Sequence, residues 1–251
     1  MPICMLYGNI SMGNAAGHNF SPPISRINWK PCWRLISSRF PPVGLFDRVA
    51  EPEDLEIVFE IEALTNDRLR DEAGDITLVP PSDRLSGHGT TPIMAAFTHL
   101  NPEGSRFTDG TYGVYYAAID IDTAIAETRF HRTLFLAATQ EPPIEIDMRG
   151  YASDLDADLH DIRKMQSSIP DIYAADPIRY AHAQSLAREL RNIGSNGITY
   201  DSVRFSGGEC VAIFRPRVLS PVRQSQHYCY VWDGQEITAI YQKSNYSPER
   251  S

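Results

Sequence analysis

The side chains best suited to chemistry are concentrated between Gly104 and Arg132. This stretch holds one well-placed carboxylate together with guanidinium groups, tyrosines and a histidine: Glu127, Arg106, Tyr112, Tyr115, Tyr116, Arg129, His131 and Arg132. A fixed carboxylate can stabilise positive charge that develops on a neighbouring carbon, and preorganised electrostatics of this kind is usually the largest catalytic contribution. A carboxylate beside a tyrosine and an arginine therefore predicts chemistry on an electron-poor carbon.

A short strand and a helix are predicted to position this set. The strand is expected over 113–118, and the helix from about Asp120, because a carboxylate at Asp120 or Asp122 can accept hydrogen bonds from the unpaired N–H groups of the first turn. Four residues recur at helical spacing and predict the inward face: Ile121, Ala124, Ile125 and Thr128. Glu127 adjoins that face, so we expect its carboxylate to point towards the strand.

The remaining segments mix strand and helix patterns. Strands are expected at 43–50, 142–151, within 197–216 and, as a hairpin around Asp233-Gly234, over 229–241. Helices are expected at 51–64, at 92–100 and at 179–194, the last ending on Gly194. Residues 75–91 and 152–177 are expected to be loops, the second an acidic excursion on the surface. This pattern predicts a mixed α/β fold in a single compact domain, with central β-sheets flanked by a few helices.

We predict two parts along the chain. Residues 1–40 form an N-terminal tail and arm, of which 1–22 is expected to be poorly ordered and 24–40 to pack on the body. Residues 41–245 form the domain itself.

Composition excludes some functions. The chain has 23 basic and 32 acidic residues and a net charge of -9, which argues against direct nucleic-acid binding because phosphate neutralisation needs clustered Lys and Arg. A local basic pocket for a small phosphate-bearing ligand is not excluded. The four cysteines form no CxxC pair, which favours a reduced, cytoplasmic setting. No signal peptide and no membrane span are expected.

Several familiar catalytic motifs are absent. The seven histidines form neither HExxH nor a paired Cys/His spacing, so we expect no metal site. The chain also lacks a GxSxG elbow and a GxxxxGK[ST] loop, which removes the usual support for a hydrolase elbow or a P-loop. Gly207-Gly208 is read first as a turn.

Individual residues leave alternatives open. Arg48 on an apolar strand is either a structural ion pair, for instance with Glu127, or a fork for a carboxylate or pyrophosphate. Tyr116 is either a core aromatic or part of a site, and Ser202 is either a turn hydroxyl or a substrate contact. His131, four residues after Glu127, is either an acid/base partner or a solvated group near the helix end, and we favour the second.

The order of these residues resembles the RES domain family, the toxin halves of bacterial toxin–antitoxin pairs. The resemblance covers about residues 43–220 and rests on five segments in the right order: Arg48-Val49, Gly104 to Phe107, Val114 through Glu127, Gly197 to Arg204, and Gly207-Gly208 to Pro216. The chain departs from the family pattern at Phe107-Thr108, where Trp-Asn is usual, and in the longer stretches 49–103 and 148–176.

The resemblance implies an ADP-ribosyltransferase-like fold that takes NAD as a substrate, with no further cofactor. It implies cleavage of the nicotinamide–ribose bond with phosphate or water as the acceptor, and a helix-turn-helix antitoxin as partner; a homodimer is left open. Carried over by motif, the catalytic residues are Glu127, Arg48 and Tyr116. The NAD-binding residues are Arg48, Arg106, Tyr116 and Ser202, with the arginines on the pyrophosphate and Tyr116 on the nicotinamide ring.

Two other functions compete with NAD destruction. One is an ADP-ribosyltransferase that modifies a target protein, and the other is a partner-binding module without catalysis. The combination of Arg48, Tyr116, Glu127 and Ser202 in one chain argues against the second.

Overall fold

A seven-stranded mixed sheet organises the computed structural model, which describes residues 20–38 and 74–244. Its strands, in chain order, are β1 (Ile24–Ser37), β2 (Tyr115–Ala118), β3 (Ile144–Asp161), β4 (Gly197–Asp201), β5 (Glu209–Ile213), β6 (Arg223–Trp232) and β7 (Ile237–Lys243). The helices are α1 (Thr91–Thr98), α2 (Ile121–Ala138) and α3 (Ala181–Asn192). The prediction of a mixed α/β domain with a central sheet and few helices is confirmed.

The strands are hydrogen-bonded in the order β1-β2-β5-β4-β3-β6-β7, and β1 also pairs with β3. Five strands therefore form a closed circuit, from β1 through β2, β5, β4 and β3 back to β1. β3 and β4 are parallel, while the other pairs are antiparallel. The hairpin of β6 and β7 extends the sheet from β3 and turns at Asp233-Gly234, as predicted.

The expectation of an acidic surface loop from residue 152 was wrong for its first part, because 152–161 continues β3. Leu155, Ala157 and Leu159 are buried while the aspartates between them are more exposed, which is the period-two alternation of a strand with one covered face. Ion pairs balance the negative charge of the aspartates on the exposed face: Arg26 contacts Asp156 and Asp158, and Arg223 contacts Asp154.

The predicted arm is a strand of the sheet. β1 pairs with β3 from Ile24↔His160 to Ser37↔Met148, with a register shift between Trp29 and Cys32. A boundary at residue 40 therefore does not separate β1 from the rest of the domain. The expected strand at 43–50 and helix at 51–64 lie outside the described residues.

Apolar side chains cover both faces of the sheet. One cluster packs α1 and the turns around Ile76 and Val79 against Tyr115, Tyr151 and their neighbours. The other packs α2, α3 and the β6–β7 hairpin against the opposite face, which carries Tyr116 and Tyr200. The two adjacent tyrosines of β2 therefore point to opposite faces, and both faces are covered.

The start of α2 and the end of α3 lie where the local sequence predicts. Asp120 Oδ1 accepts a hydrogen bond from the Thr123 N–H at 2.7 Å and caps α2. Gly194 follows α3 with φ 87°, the left-handed conformation that ends many helices. Within residues 20–38 and 74–244, none of the helices combines the length and the apolar character needed to cross a bilayer. The same ranges contain no group of three or more His, Cys, Asp or Glu side chains that could hold a metal ion.

Candidate active site

Glu127 and Ser202 meet between α2 and the loop that follows β4. Ser202 Oγ donates a hydrogen bond to Glu127 Oε1 at 2.6 Å, and Cys210 Sγ lies 4.0 Å from the same oxygen. The Ser202 hydrogen bond therefore orients the carboxylate through Oε1.

The glycine pair after β4 allows this meeting. Gly207 has φ 79°, and a Cβ on Gly208 would lie 2.4 Å from Thr123 Oγ1 of α2. Only glycine permits this close approach of the loop backbone to the helix. The turn also uses Ser202, whose Oγ accepts hydrogen bonds from the N–H groups of Arg204 and Phe205, both at 3.0 Å. Ser202 is thus a turn hydroxyl and a carboxylate contact at the same time.

Tyr116 holds the loop that carries Arg106. Its hydroxyl makes a hydrogen bond with Ser105 Oγ at 2.7 Å and accepts one from the Phe107 N–H at 3.0 Å. Burial raises the pKa of Tyr116 above its ordinary value, so the phenol stays protonated. From the other side Gln184 of α3 donates to the carbonyls of Ser105 and Thr108.

Two guanidinium groups tether the segment 172–175 to the site. Arg106 Nη1 donates to the carbonyls of Ile172 and Ala174 at 3.1 and 2.8 Å, and its guanidinium lies 4.6 Å from the centre of the Tyr180 ring. Arg204 donates through Nη2 to the Ala175 carbonyl. Both cations sit close to the site, but part of their hydrogen-bonding capacity is used by the protein itself.

The Tyr200 side chain shows how closely these groups are gathered. Its pKa is raised well above the ordinary value, mainly by burial and then by the neighbouring Cys210, Glu127 and Tyr116, while Arg106 acts in the opposite direction. Tyr116, Glu127 and Arg106 therefore surround one buried phenol, and Ser202 joins them through Glu127. The structure brings together four of the five residues predicted for the site. The fifth, Arg48, lies outside the described residues.

His131 is not at a helix end, as the sequence had suggested, because α2 continues to Ala138. Its pKa is lowered to about 4, first by desolvation and then by the charges of Arg204, Arg106 and Arg132. The His131 side chain is nevertheless exposed to solvent, as expected for a solvated group. Three guanidinium groups therefore lie near His131, which follows Glu127 by one helical turn on α2.

Arg34 was missed at the sequence level because it lay in the predicted arm. Its Nη1 donates to the Tyr116 carbonyl at 3.0 Å, and its guanidinium lies 4.7 Å from the centre of the Tyr115 ring. Burial lowers its pKa, and its Nε has no hydrogen-bond partner among the residues that the structure describes. The signal available was an arginine inside the apolar run CWRLI, which is the same reasoning that singled out Arg48.

Comparison with known proteins shows which family the chain belongs to. The model of the RES domain matches residues 82–233. The chain belongs to the RES domain family. This RES protein is 33% identical over 211 residues to an uncharacterized protein, y4oC, of Sinorhizobium fredii (strain NBRC 101917 / NGR234), and the match covers 83% of this chain and 86% of that protein. Among solved structures, it is similar to a chain of the M. tuberculosis MbcT–MbcA toxin–antitoxin complex, with 14% identity and a TM-score of 0.43, covering 83% of this chain and 87% of that chain.

Proposed function

We propose that this RES protein cleaves the bond between nicotinamide and ribose in NAD, with phosphate or water as the acceptor. The observation that carries the proposal is the Glu127 carboxylate, oriented by Ser202 at 2.6 Å on a helix turn that also has three arginines nearby. Family membership supports it, because the resemblance to RES toxins implies this reaction.

The carboxylate suits the charge that develops in the reaction. Departure of nicotinamide leaves an oxocarbenium-like ribose, and a fixed negative group beside it stabilises that state. The Ser202 hydrogen bond holds Glu127 in one orientation before the substrate arrives, so little reorganisation is needed. The other carboxylate oxygen, Oε2, would face the ribose.

The cations suit the pyrophosphate. Arg132 and Arg204 lie near His131 together with Arg106, and guanidinium groups bind phosphate oxygens in a fork geometry. Arg106 already donates through Nη1 to two carbonyls, so its remaining charge would act on the phosphates from behind the loop. A role for Arg48 on the pyrophosphate, and of the Tyr116 ring against nicotinamide, stays a prediction.

The reaction balances with either acceptor. With water, NAD gives ADP-ribose, nicotinamide and a proton; with phosphate, the new bond joins the ribose anomeric carbon to a phosphate oxygen. His131 follows Glu127 by four residues on α2, so its imidazole would be positioned on the same helix face to accept the proton of an attacking water.

The test is direct. Purified full-length protein is incubated with NAD, with and without inorganic phosphate, and nicotinamide and the ribosyl products are separated by chromatography. We expect nicotinamide release in parallel with NAD loss. Incubation of NAD labelled in its adenylate phosphate with cell extract then identifies the acceptor. A labelled protein band would show transfer to a protein, whereas label in small products supports NAD destruction. Failure to consume NAD with either acceptor would contradict the proposal.

We further propose that the protein acts as a toxin that is restrained by a helix-turn-helix antitoxin covering the candidate active site, as the family resemblance implies. Expression alone should arrest growth with falling cellular NAD, and co-expression of an antitoxin encoded beside it should restore growth. Growth arrest without loss of NAD would separate toxicity from the proposed reaction.

A further inference from the structure

A groove lies beside the candidate active site, between α2, the loop after β4 and the β6–β7 hairpin. Its volume is about 690 Å³, within the range of roughly 300–1,000 Å³ typical of small-molecule sites. Its lining includes Ile125, Phe130, Arg204, Phe205, Glu236 and Ile240. The proposed reaction at Glu127 does not by itself require this volume.

The lining is apolar inside and charged at its edges. Ile125 and Ile240 supply aliphatic surface, and Phe205 leaves 40% of its surface exposed. Carboxylates come from Asp122 and Glu236, which can accept hydrogen bonds from sugar hydroxyls or an exocyclic amine. An exposed aromatic ring beside hydrogen-bond acceptors suits a planar, nitrogen-rich base attached to a sugar.

The groove and the active site share a wall. The Arg204 guanidinium lies over the Phe130 ring, with 3.3 Å from its central carbon to the ring centre, and both residues line the groove. On the other side of this wall the Arg204 N–H donates to Ser202 Oγ, which donates to Glu127. A ligand with its reacting carbon at Glu127 could therefore continue past Arg204 into the groove.

The wall also contains an unsatisfied cationic donor. Arg204 Nε is buried and has no hydrogen-bond partner among residues 20–38 and 74–244, although Nη2 of the same side chain donates to a carbonyl. A buried unpaired donor is costly, and a phosphate oxygen arriving at this wall would satisfy it. The order of groups from Glu127 outward is thus carboxylate, guanidinium and aromatic pocket, which matches the order ribose, pyrophosphate and base in a dinucleotide.

We propose that this groove binds the adenosine end of the dinucleotide substrate, with the purine stacked on Phe205. The assignment rests on the proposed function for the identity of the whole substrate. The nicotinamide ribose lies at Glu127, the pyrophosphate passes Arg204, and the adenosine sugar meets the carboxylates at the rim.

Binding and kinetics test the assignment separately. Calorimetric titration with AMP and with ADP-ribose is carried out on the wild-type chain and on Phe205→Ala, Phe205→Tyr and Tyr241→Ala. Tyr241 is a matched control because it is an exposed aromatic on β7, 60% exposed, that does not line the groove. Loss of one stacked ring should weaken AMP binding about tenfold in Phe205→Ala. Phe205→Tyr, which retains the ring, and Tyr241→Ala should bind as the wild type does.

Steady-state kinetics should also distinguish Phe205→Ala from the wild type, and only with a substrate that carries adenosine. With NAD, Phe205→Ala should raise KM about tenfold with little change in kcat, since stacking contributes to binding. With nicotinamide mononucleotide, which lacks the adenosine half, the variant and the wild type should be equal. Equal AMP affinity in Phe205→Ala and the wild type, absence of AMP binding, or an equal loss on both substrates would overturn the assignment.

The outcomes also separate this inference from the proposed reaction. If AMP binding depends on Phe205 but the protein does not consume NAD, the adenosine site is supported and the proposed reaction is contradicted. If the protein cleaves NAD equally well with and without the Phe205 ring, the reaction is supported and the adenosine site is contradicted.

Discussion

Ser202 and Glu127, 75 positions apart in the sequence, are joined by a hydrogen bond of 2.6 Å from the serine Oγ to the glutamate Oε1. The same Oγ accepts two backbone N–H groups of its own turn, so its single proton is directed to the carboxylate. Because the acceptor is charged, this is the stronger kind of hydrogen bond. The turn and the carboxylate are therefore held as one unit.

Replacing Ser202 should affect both stability and turnover. Ser202→Ala leaves the Arg204 and Phe205 N–H groups without their acceptor and releases Glu127, which should cost about 1–3 kcal/mol of unfolding free energy. We expect nicotinamide release to fall by roughly 10- to 100-fold, because the carboxylate loses its fixed orientation. Ser202→Thr keeps the hydroxyl and should retain most activity. Wild-type turnover in Ser202→Ala would contradict this role.

The two tyrosines of β2 should respond differently to loss of their hydroxyl groups. Tyr116 makes hydrogen bonds to Ser105 and Phe107, so Tyr116→Phe should destabilise the protein by about 1–2 kcal/mol. The Tyr115 hydroxyl is buried without a hydrogen-bond partner in the described part of the chain, so Tyr115→Phe should be neutral or stabilising by up to about 1 kcal/mol. Urea denaturation of the two variants measures the difference. Equal destabilisation would be inconsistent with the hydrogen bonds described.

A substitution of Arg106 should affect the order of the adjoining segment 172–175 more than it affects the affinity for NAD. Arg106→Lys retains the charge but loses the planar guanidinium, whose Nη1 donates to the carbonyls of both Ile172 and Ala174. We expect amide hydrogen exchange to rise at least tenfold in the segment 172–175, and KM for NAD to change less than threefold. A large rise in KM with unchanged exchange would instead assign Arg106 mainly to the pyrophosphate.

The pKa of His131 predicts how stability depends on pH. In the folded protein this pKa is lowered to about 4 from an ordinary value of 6.5, so the unfolded chain takes up the proton first as pH falls. His131 should therefore reduce stability progressively between about pH 6.5 and pH 4, and have no such effect above 6.5. Melting temperatures at pH 4.5 and 7.5 should differ less in His131→Gln than in the wild type. His182→Gln, at a side chain that is 68% exposed, is the control and should leave the difference in place.

Local signals predicted the parts of the fold that depend on neighbouring residues. The Asp120 cap, the left-handed Gly194 and the Asp233-Gly234 turn all act within a few positions, and each was found where the sequence placed it. β1 was missed because its partner, β3, lies more than 100 residues away, and no local pattern encodes that pairing. The second half of β3 was missed because its aspartates were read as a solvated loop, although they alternate with Leu155, Ala157 and Leu159.

The sequence predicted which residues form the candidate site, but it did not predict most of the contacts that these residues make. The order of motifs identified Tyr116, Glu127 and Ser202, yet whether Ser202 shapes the turn or contacts the site could be decided only by geometry, and it does both. The sequence predicted that Arg106 binds substrate, whereas its hydrogen bonds in the structure go to two loop carbonyls and a tyrosine hydroxyl. Backbone acceptors carry no sequence signature. The lowered pKa of His131 arises from arginines distant in sequence, such as Arg204.

The most direct test of the account is the rate of nicotinamide release by Glu127→Gln. The amide oxygen can still accept the Ser202 hydrogen bond, so the variant should melt within a few degrees of the wild type. Without the negative charge the oxocarbenium-like state loses its stabilisation, and turnover should fall by about 100-fold or more. Glu189→Gln, on the exposed surface of α3, should behave as the wild type. Turnover of folded Glu127→Gln within about twofold of the wild type would contradict the central role given to this carboxylate.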